Sequence, residues 1–93
     1  MDKRSSEELI PELFDTILKL RTQEDCAAFF ADLCPEKEVE NMAERLAAAR
    51  LLLEGKTYLQ VIEAVDISSA TLSRVSRCVR HGTGYVRMIR REE

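Results

Sequence analysis

The sequence is short of the residues that most catalytic and metal sites are built from. It has a single histidine, His81, and no Gly-rich phosphate loop among its three glycines. No Ser-His-Asp set can be assembled around that histidine, which stands at a helix end, where the dipole favours a positive charge. An enzyme is therefore not expected. The three cysteines, Cys26, Cys34 and Cys78, include no CxxC pair, and with one histidine they do not make a zinc spacing. No metal is expected, and reduced thiols suit a reducing compartment. Cys26 and Cys78 fall near the apolar faces of their helices and are expected to pack as small hydrophobes. There is no secretory signal pattern and no run of about eighteen apolar residues. The expectation is a cytoplasmic protein without a membrane partner.

Aromatic residues are also few: five, with no tryptophan, although 45% of the chain is hydrophobic. The apolar content is Ala- and Leu-rich, which suits helices, and no alternating strand pattern of useful length is present. At 93 residues one all-α domain is expected over 1–93, large enough for a core that a dimer interface would reinforce.

Acidic residues are nearly missing from one part of the chain. Residues 1–55 carry seven Lys/Arg and thirteen Asp/Glu, whereas residues 56–91 carry seven Lys/Arg and only Glu63 and Asp66. The net charge of −3 excludes a uniformly basic nucleic-acid binder. An acidic part and a basic part is nevertheless an asymmetry that a DNA-binding protein can show.

The basic part contains the most informative stretch, Thr57–His81. Thr57 followed by Gln60 has capping-box spacing. Tyr58, Val61, Ile62 and Val65 then form one apolar helical face. Asp66-Ile67-Ser68 breaks the pattern: Asp and Ser favour turns, Ile67 can plug the corner, and Ser68 is a natural N-cap. A second helix follows with Leu72, Val75 and Val79 on one side. At about 100° per residue its other side carries Ser69, Ala70, Ser73, Arg74, Arg77, Arg80 and His81. Two short helices, a tight turn and small polar residues at the start of the second describe a helix-turn-helix. The same pattern describes an ordinary helical hairpin with a polar outer face. Segregation of the arginines onto that face favours DNA.

Upstream, Ser5-Ser6-Glu7-Glu8 reads as a capping-box start to a first helix over about 6–20, following a loose Met1–Arg4. Pro11 should either delay that helix to near Ile10 or kink it. A second helix begins at Thr22-Gln23-Glu24-Asp25, acid-rich as the dipole prefers, with Cys26, Phe29, Phe30 and Leu33 on its inner face. Pro35 suits the first turn of a third helix that runs to Glu54 and stops at Gly55. Val39, Met42, Ala43 and Leu46 form its stripe. Between Leu46 and Leu53 only Arg50 is charged, so that stretch should be buried on most sides, for which a second subunit is the natural cause. Gly82-Thr83-Gly84 is a turn. Tyr85–Arg91 is a short amphipathic tail that can fold back on a partner subunit or add phosphate contacts through its arginines.

The chain resembles the Trp repressor superfamily, and more closely its small YerC/YecD-type branch. The likeness is carried by the helix ending LLLEG, the Gly55-Lys56-Thr57 junction, the run Ser69-Ala70-Thr71-Leu72-Ser73-Arg74, Arg77-Cys78-Val79 leading into GTGY, and the phrase FFADLC before the long helix. This resemblance implies a TrpR-like intertwined homodimer, with helices in 6–55 for dimerisation, a helix-turn-helix over 57–81 and a tail over 82–93. It further implies double-stranded DNA as partner and a transcriptional regulator, most simply a repressor, reading a near-palindromic site. The implied DNA-binding residues are Thr57, Ser68, Ser69, Ala70, Thr71, Ser73, Arg74 and Arg77. Arg45 and Arg74 fall where the family places two ligand-contacting arginines. Against tryptophan as effector, Val75 replaces a glycine beside the second arginine, and Cys34 replaces a threonine. The Pro35–Gly55 spacing is one residue longer and the next loop one shorter. No cofactor is expected. The alternative function is a protein-interaction module that keeps the fold without specific DNA binding.

Overall fold

The structure, a computed structural model, describes residues 3–91. Six helices run through them: α1 (Ser6–Ile17), α2 (Gln23–Leu33), α3 (Glu36–Leu53), α4 (Tyr58–Ala64), α5 (Ser69–His81) and α6 (Gly84–Arg90). The contacts divide the chain into two units, Met1–Pro35 and Glu36–Glu93.

The first unit holds α1 and α2. Helix α1 starts at Ser6 and runs through Pro11, so proline does not delay it. The carbonyl left without its i+4 donor belongs to Glu7, an exposed residue, where water can satisfy it. The expected capping box is absent. Ser5 is the N-cap but makes no side-chain cap bond; only its carbonyl accepts, from the N–H groups of Glu8 and Leu9. The Glu8 carboxylate, the other half of that box, instead accepts from Arg4 Nε at 3.4 Å. The Arg4 guanidinium also pairs with both oxygens of Glu12. That hydrogen bond, with Arg4's positive charge, holds the Glu12 carboxyl below its usual range. Arg4 is thus held by α1, while Met1 and Asp2 of the expected loose end lie outside the described residues. Helix α1 stops at Ile17, three residues early, and finishes in tight i→i+3 bonds, Lys19 N–H to Thr16 O and Leu20 N–H to Ile17 O. Helix α2 is capped as expected, with Thr22 Oγ1 accepting from Asp25 N–H at 3.0 Å. Phe29 and Phe30 pack edge to face, ring centroids 5.5 Å apart, and are half-buried. Cys26, expected to pack inward, is exposed. Neither helix buries a residue fully.

The second unit holds the core. Ala48, Ala49, Val61, Leu72, Val75 and Ile89 are buried, with Leu51, Leu52, Leu53, Ile67, Val79 and Tyr85 packed around them. Helices α4, α5 and α6 all pack on α3, and α6 also packs on α5. The buried part of α3 is therefore the Ala-rich end of the LAAARLLL stretch. Leu46 and Met42 remain 38% exposed, so the stripe is only partly covered by this chain. Tyr58 and Ile62 are likewise more than two-fifths exposed; only Val61 of that face is fully inside. The tail is a real helix, folded on α3 and α5 of its own chain through Ile89.

Two glycines fix the corners. Gly55 has φ +91°, and the bonds Lys56 N–H to Leu51 O and Gly55 N–H to Leu52 O close α3 as a Schellman motif. Gly82 has an ordinary φ, but a Cβ there would meet the Cys78 carbonyl oxygen at 2.7 Å. Gly84 has open space. We expect Gly82→Ala to cost about 1–3 kcal/mol, as overpacking does, and Gly84→Ala to leave stability nearly unchanged. Thermal unfolding of the two variants side by side checks the contrast.

Candidate nucleic-acid interface

The entry to α4 is pinned at both ends of a reciprocal cap. Gln60 N–H donates to Thr57 Oγ1 at 3.2 Å and Thr57 N–H donates to Gln60 Oε1 at 2.8 Å. The helix closes at Val65, whose N–H reaches Val61 O at 2.8 Å. The chain then turns through Asp66, Ile67 and Ser68. Ile67 is half-buried against the core, plugging the corner. Ser68 caps α5: its Oγ accepts from Thr71 N–H at 3.1 Å and donates to Thr71 Oγ1 at 2.9 Å.

Helix α5 has two sharply different faces. Leu72, Val75 and Ser76 are buried, and Val79 is half-buried. Ser69, Ala70, Ser73, Arg74, Arg77, Arg80 and His81 are all exposed. At about 100° per residue, Ala70, Ser73 with Arg74, then Arg77 follow one another along the outer ridge. Small side chains occupy the N-terminal part of that ridge, where backbone can approach a groove floor, and arginines the rest. Ion pairs join Arg4 to Glu8 and Glu12 and Lys37 to Glu40. None engages Arg74, Arg77 or Arg80, whose guanidinium groups are left facing solvent.

The residues expected at the interface fall into two sets. Ser69, Ala70, Ser73, Arg74 and Arg77 share the exposed face of α5. Thr57 and Ser68 use their hydroxyls as caps, and Thr71, whose Oγ1 accepts from Ser68 Oγ, is half-buried. Arg80 and His81 extend the outer face beyond the expected set, a continuation visible in their i+3 and i+4 spacing from Arg77.

A cleft of about 320 Å³ lies between α3 and the turn before α5, lined by Lys37, Asn41, Glu44 and Arg45 on one side and Asp66, Ile67, Ser68 and Thr71 on the other. Arg45 lines it and Arg74 does not, so the two arginines considered for a ligand do not share this cavity. Its walls are polar and of mixed charge. Lys37, Asn41, Glu44 and Asp66 carry no signal as separate residues. The first three, with Arg45, stand at i, i+4, i+7 and i+8, one face of α3. Among the described residues, no three of His, Cys, Asp and Glu are grouped to hold a metal ion.

A two-faced helix, capped at a tight turn behind a short first helix, is the geometry of a helix-turn-helix, and comparison with known sequences agrees. The sequence model described as Trp repressor protein matches residues 8–93. The chain belongs to the Trp repressor family. It is 44% identical over 82 residues to the uncharacterized protein YerC of Bacillus subtilis (strain 168), covering 88% of this chain and 78% of YerC. Its fold matches the crystal structure of a TrpR-like protein from Eubacterium eligens ATCC 27750 with a TM-score of 0.86 and 35% identity, over 90% of this chain and 88% of that one. The Trp repressor family is one of helix-turn-helix DNA-binding regulators, not of enzymes.

Because the Ser68 hydroxyl both caps α5 and holds Thr71, Ser68→Ala should destabilise the chain by about 1 kcal/mol. The expected result is a lower urea midpoint with an unchanged m-value; an unaltered midpoint would show that the cap is energetically idle.

Proposed function

We propose that this protein is a sequence-specific DNA-binding transcriptional regulator, a repressor, that acts as a homodimer in the cytoplasm. The observation that carries this reading is the outer face of α5, where exposed Ser69, Ala70, Ser73, Arg74 and Arg77 stand opposite the buried Leu72 and Val75. On double-stranded DNA, Ser69 and Ser73 present hydroxyls to base edges or bridging water. Arg74 and Arg77 neutralise phosphates, so affinity falls steeply with salt. Thr57, Ser68 and Thr71 fix the entry angle of the helix.

The dimer is supported by apolar surface that one chain leaves uncovered. Leu9, Ile10, Leu13, Phe14 and Leu18 of the α1 region are 36–81% exposed, and Leu33, Met42 and Leu46 are 38–46% exposed. Large apolar patches of this kind mark association sites, and two-fold symmetry would set two α5 helices about one DNA turn apart. Consistent with a DNA-bound role away from membranes, no described helix is long and apolar enough to cross one.

Tryptophan is not required in this reading. Val75 is 1% exposed, packed at the position beside Arg74 where the family's glycine leaves room for an indole. DNA affinity should therefore be the same with and without saturating tryptophan, as fluorescence anisotropy on a selected duplex would show.

The decisive test is selection of genomic fragments by the purified protein near physiological salt. A near-palindromic enriched site is expected. In Ser69→Ala the preferred sequence should change, whereas Arg77→Ala should weaken all duplexes alike and flatten the salt slope by about 0.9 for each phosphate no longer neutralised. Absence of duplex affinity at low salt, with a stable protein partner recovered instead, would replace this reading by the interaction module.

A further inference from the structure

Helix α6 carries charge that the reading of α5 does not use. From Ile67 to Arg91 the chain contains Arg74, Arg77, Arg80, Arg87, Arg90, Arg91 and His81 and no Asp or Glu. The last three arginines belong to α6 and its C-cap. At about 100° per residue, Tyr85, Val86 and Ile89 cluster on one side of this helix, and these are its buried or half-buried residues. Arg87 and Arg91 lie opposite them, with Arg90 on the flank, and all three are exposed. No carboxylate among the described residues pairs with them; Arg91 Nη1 approaches Met88 Sδ at 3.8 Å, too weak an interaction to hold a guanidinium.

The placement of α6 gives this charge a target. Only Gly82 and Thr83 separate α5 from α6, and α6 packs directly against α5. Packed helices lie about 8–10 Å apart, axis to axis. The major groove is about 12 Å wide, so a helix seated in it is flanked by rows of phosphates at about half that distance. A helix at that spacing to the side of the recognition helix would meet the phosphate backbone rather than base edges. Its arginines meet the planar, bidentate acceptor that guanidinium groups bind best. The exposed basic residues also follow closely along the chain, from Arg77 through Arg80 and His81 across the short junction to α6.

We propose that α6 is a second DNA-contacting element, in which Arg87, Arg90 and Arg91 clamp backbone phosphates flanking the groove entered by α5. The proposal rests on the reading of α5 as the recognition helix. It assigns α6 to affinity and α5 to sequence choice.

The test compares the full-length protein with Arg87→Gln/Arg90→Gln/Arg91→Gln, and with the charge-conserving triple Lys variant. Each binds a mixed-sequence duplex of about three helical turns across a salt series, and each is put through genomic fragment selection. For every phosphate it no longer neutralises, the triple Gln variant should flatten the plot of log affinity against log salt by about 0.9. Its ranking of selected sites should not change, and the triple Lys variant should keep most of the slope. Circular dichroism confirms that the exposed substitutions leave the helices intact. A triple Gln slope equal to that of the wild type overturns the proposal. So does dissociation of the dimer by the Gln variant, which would assign the arginines to the acidic surface of a second copy. If the wild type itself binds no duplex at low salt, it is the function proposed for α5 that fails, and the α6 assignment falls with it.

Discussion

The close approach of helices at Ala48 and Ala49 is the constraint on which the second unit depends. Both are fully buried, and side chains this small let α4, α5 and α6 come down on α3 together. Leu72, Val75 and Val61 complete the packing, each also fully or almost fully buried. Burying such a side chain is worth about 1.5–3 kcal/mol. A larger residue at either alanine would separate the helices and expose several of these side chains at once. The orientation of α5 follows directly. Its inner face is held by Leu72, Val75 and Ser76, so its outer face has nowhere to point but solvent. The display of Ser69, Ser73 and Arg77 is thus a consequence of packing on the opposite side.

Hydroxyl chemistry divides the helix-turn-helix into bonded and unbonded groups. Thr57, Ser68 and Thr71 have the same functional group as Ser69 and Ser73. Thr57 Oγ1 and Ser68 Oγ, however, accept from the backbone N–H groups of Gln60 and Thr71, and Thr71 Oγ1 accepts from Ser68 Oγ. Ser69 and Ser73 carry no such obligation. A turn held by the Thr57–Gln60 and Ser68–Thr71 pairs lets the exposed side chains of α5 vary without loosening the scaffold. The Arg45 cleft borders the same turn through Asp66, Ser68 and Thr71, so what happens at the start of α5 is felt by both.

What could be read from the sequence was what local chemistry decides. The capping box at Thr57, the cap at Ser68, the Gly55 stop and both faces of α5 each depend on residues within one or two turns of one another, and each is present in the structure. The failures lie where a competing partner intervenes. Ser5 had the right spacing for a reciprocal cap, but the Glu8 carboxylate accepts from Arg4 instead. Pro11 did not delay the start of α1, because the carbonyl it deprives belongs to an exposed residue. Cys26 was placed inward by periodicity, yet its helix buries no residue fully. Periodicity identifies an apolar face without saying what covers it, and the same holds for Leu46, Tyr58 and Ile62.

That gap between periodic pattern and actual burial is itself informative. Six buried hydrophobic residues make a small core, all of it in the second unit, and single domains of this size are marginal without further burial. The sequence nevertheless places a regular apolar stripe in α1, with acidic residues between its members. In a helix that functioned alone, Phe14 and Leu18, at 57% and 81% exposed, would be replaceable by polar residues with an increase in solubility. A stripe left uncovered in one unit and a small core in the other fit a chain whose stability is completed by association. DNA binding would then be coupled to the same step. Under the proposed function, two α5 helices would be set at a fixed separation only by joining two chains, and the exposed apolar residues of α1 that would join them are distinct from the exposed arginines of α5 that would meet phosphate.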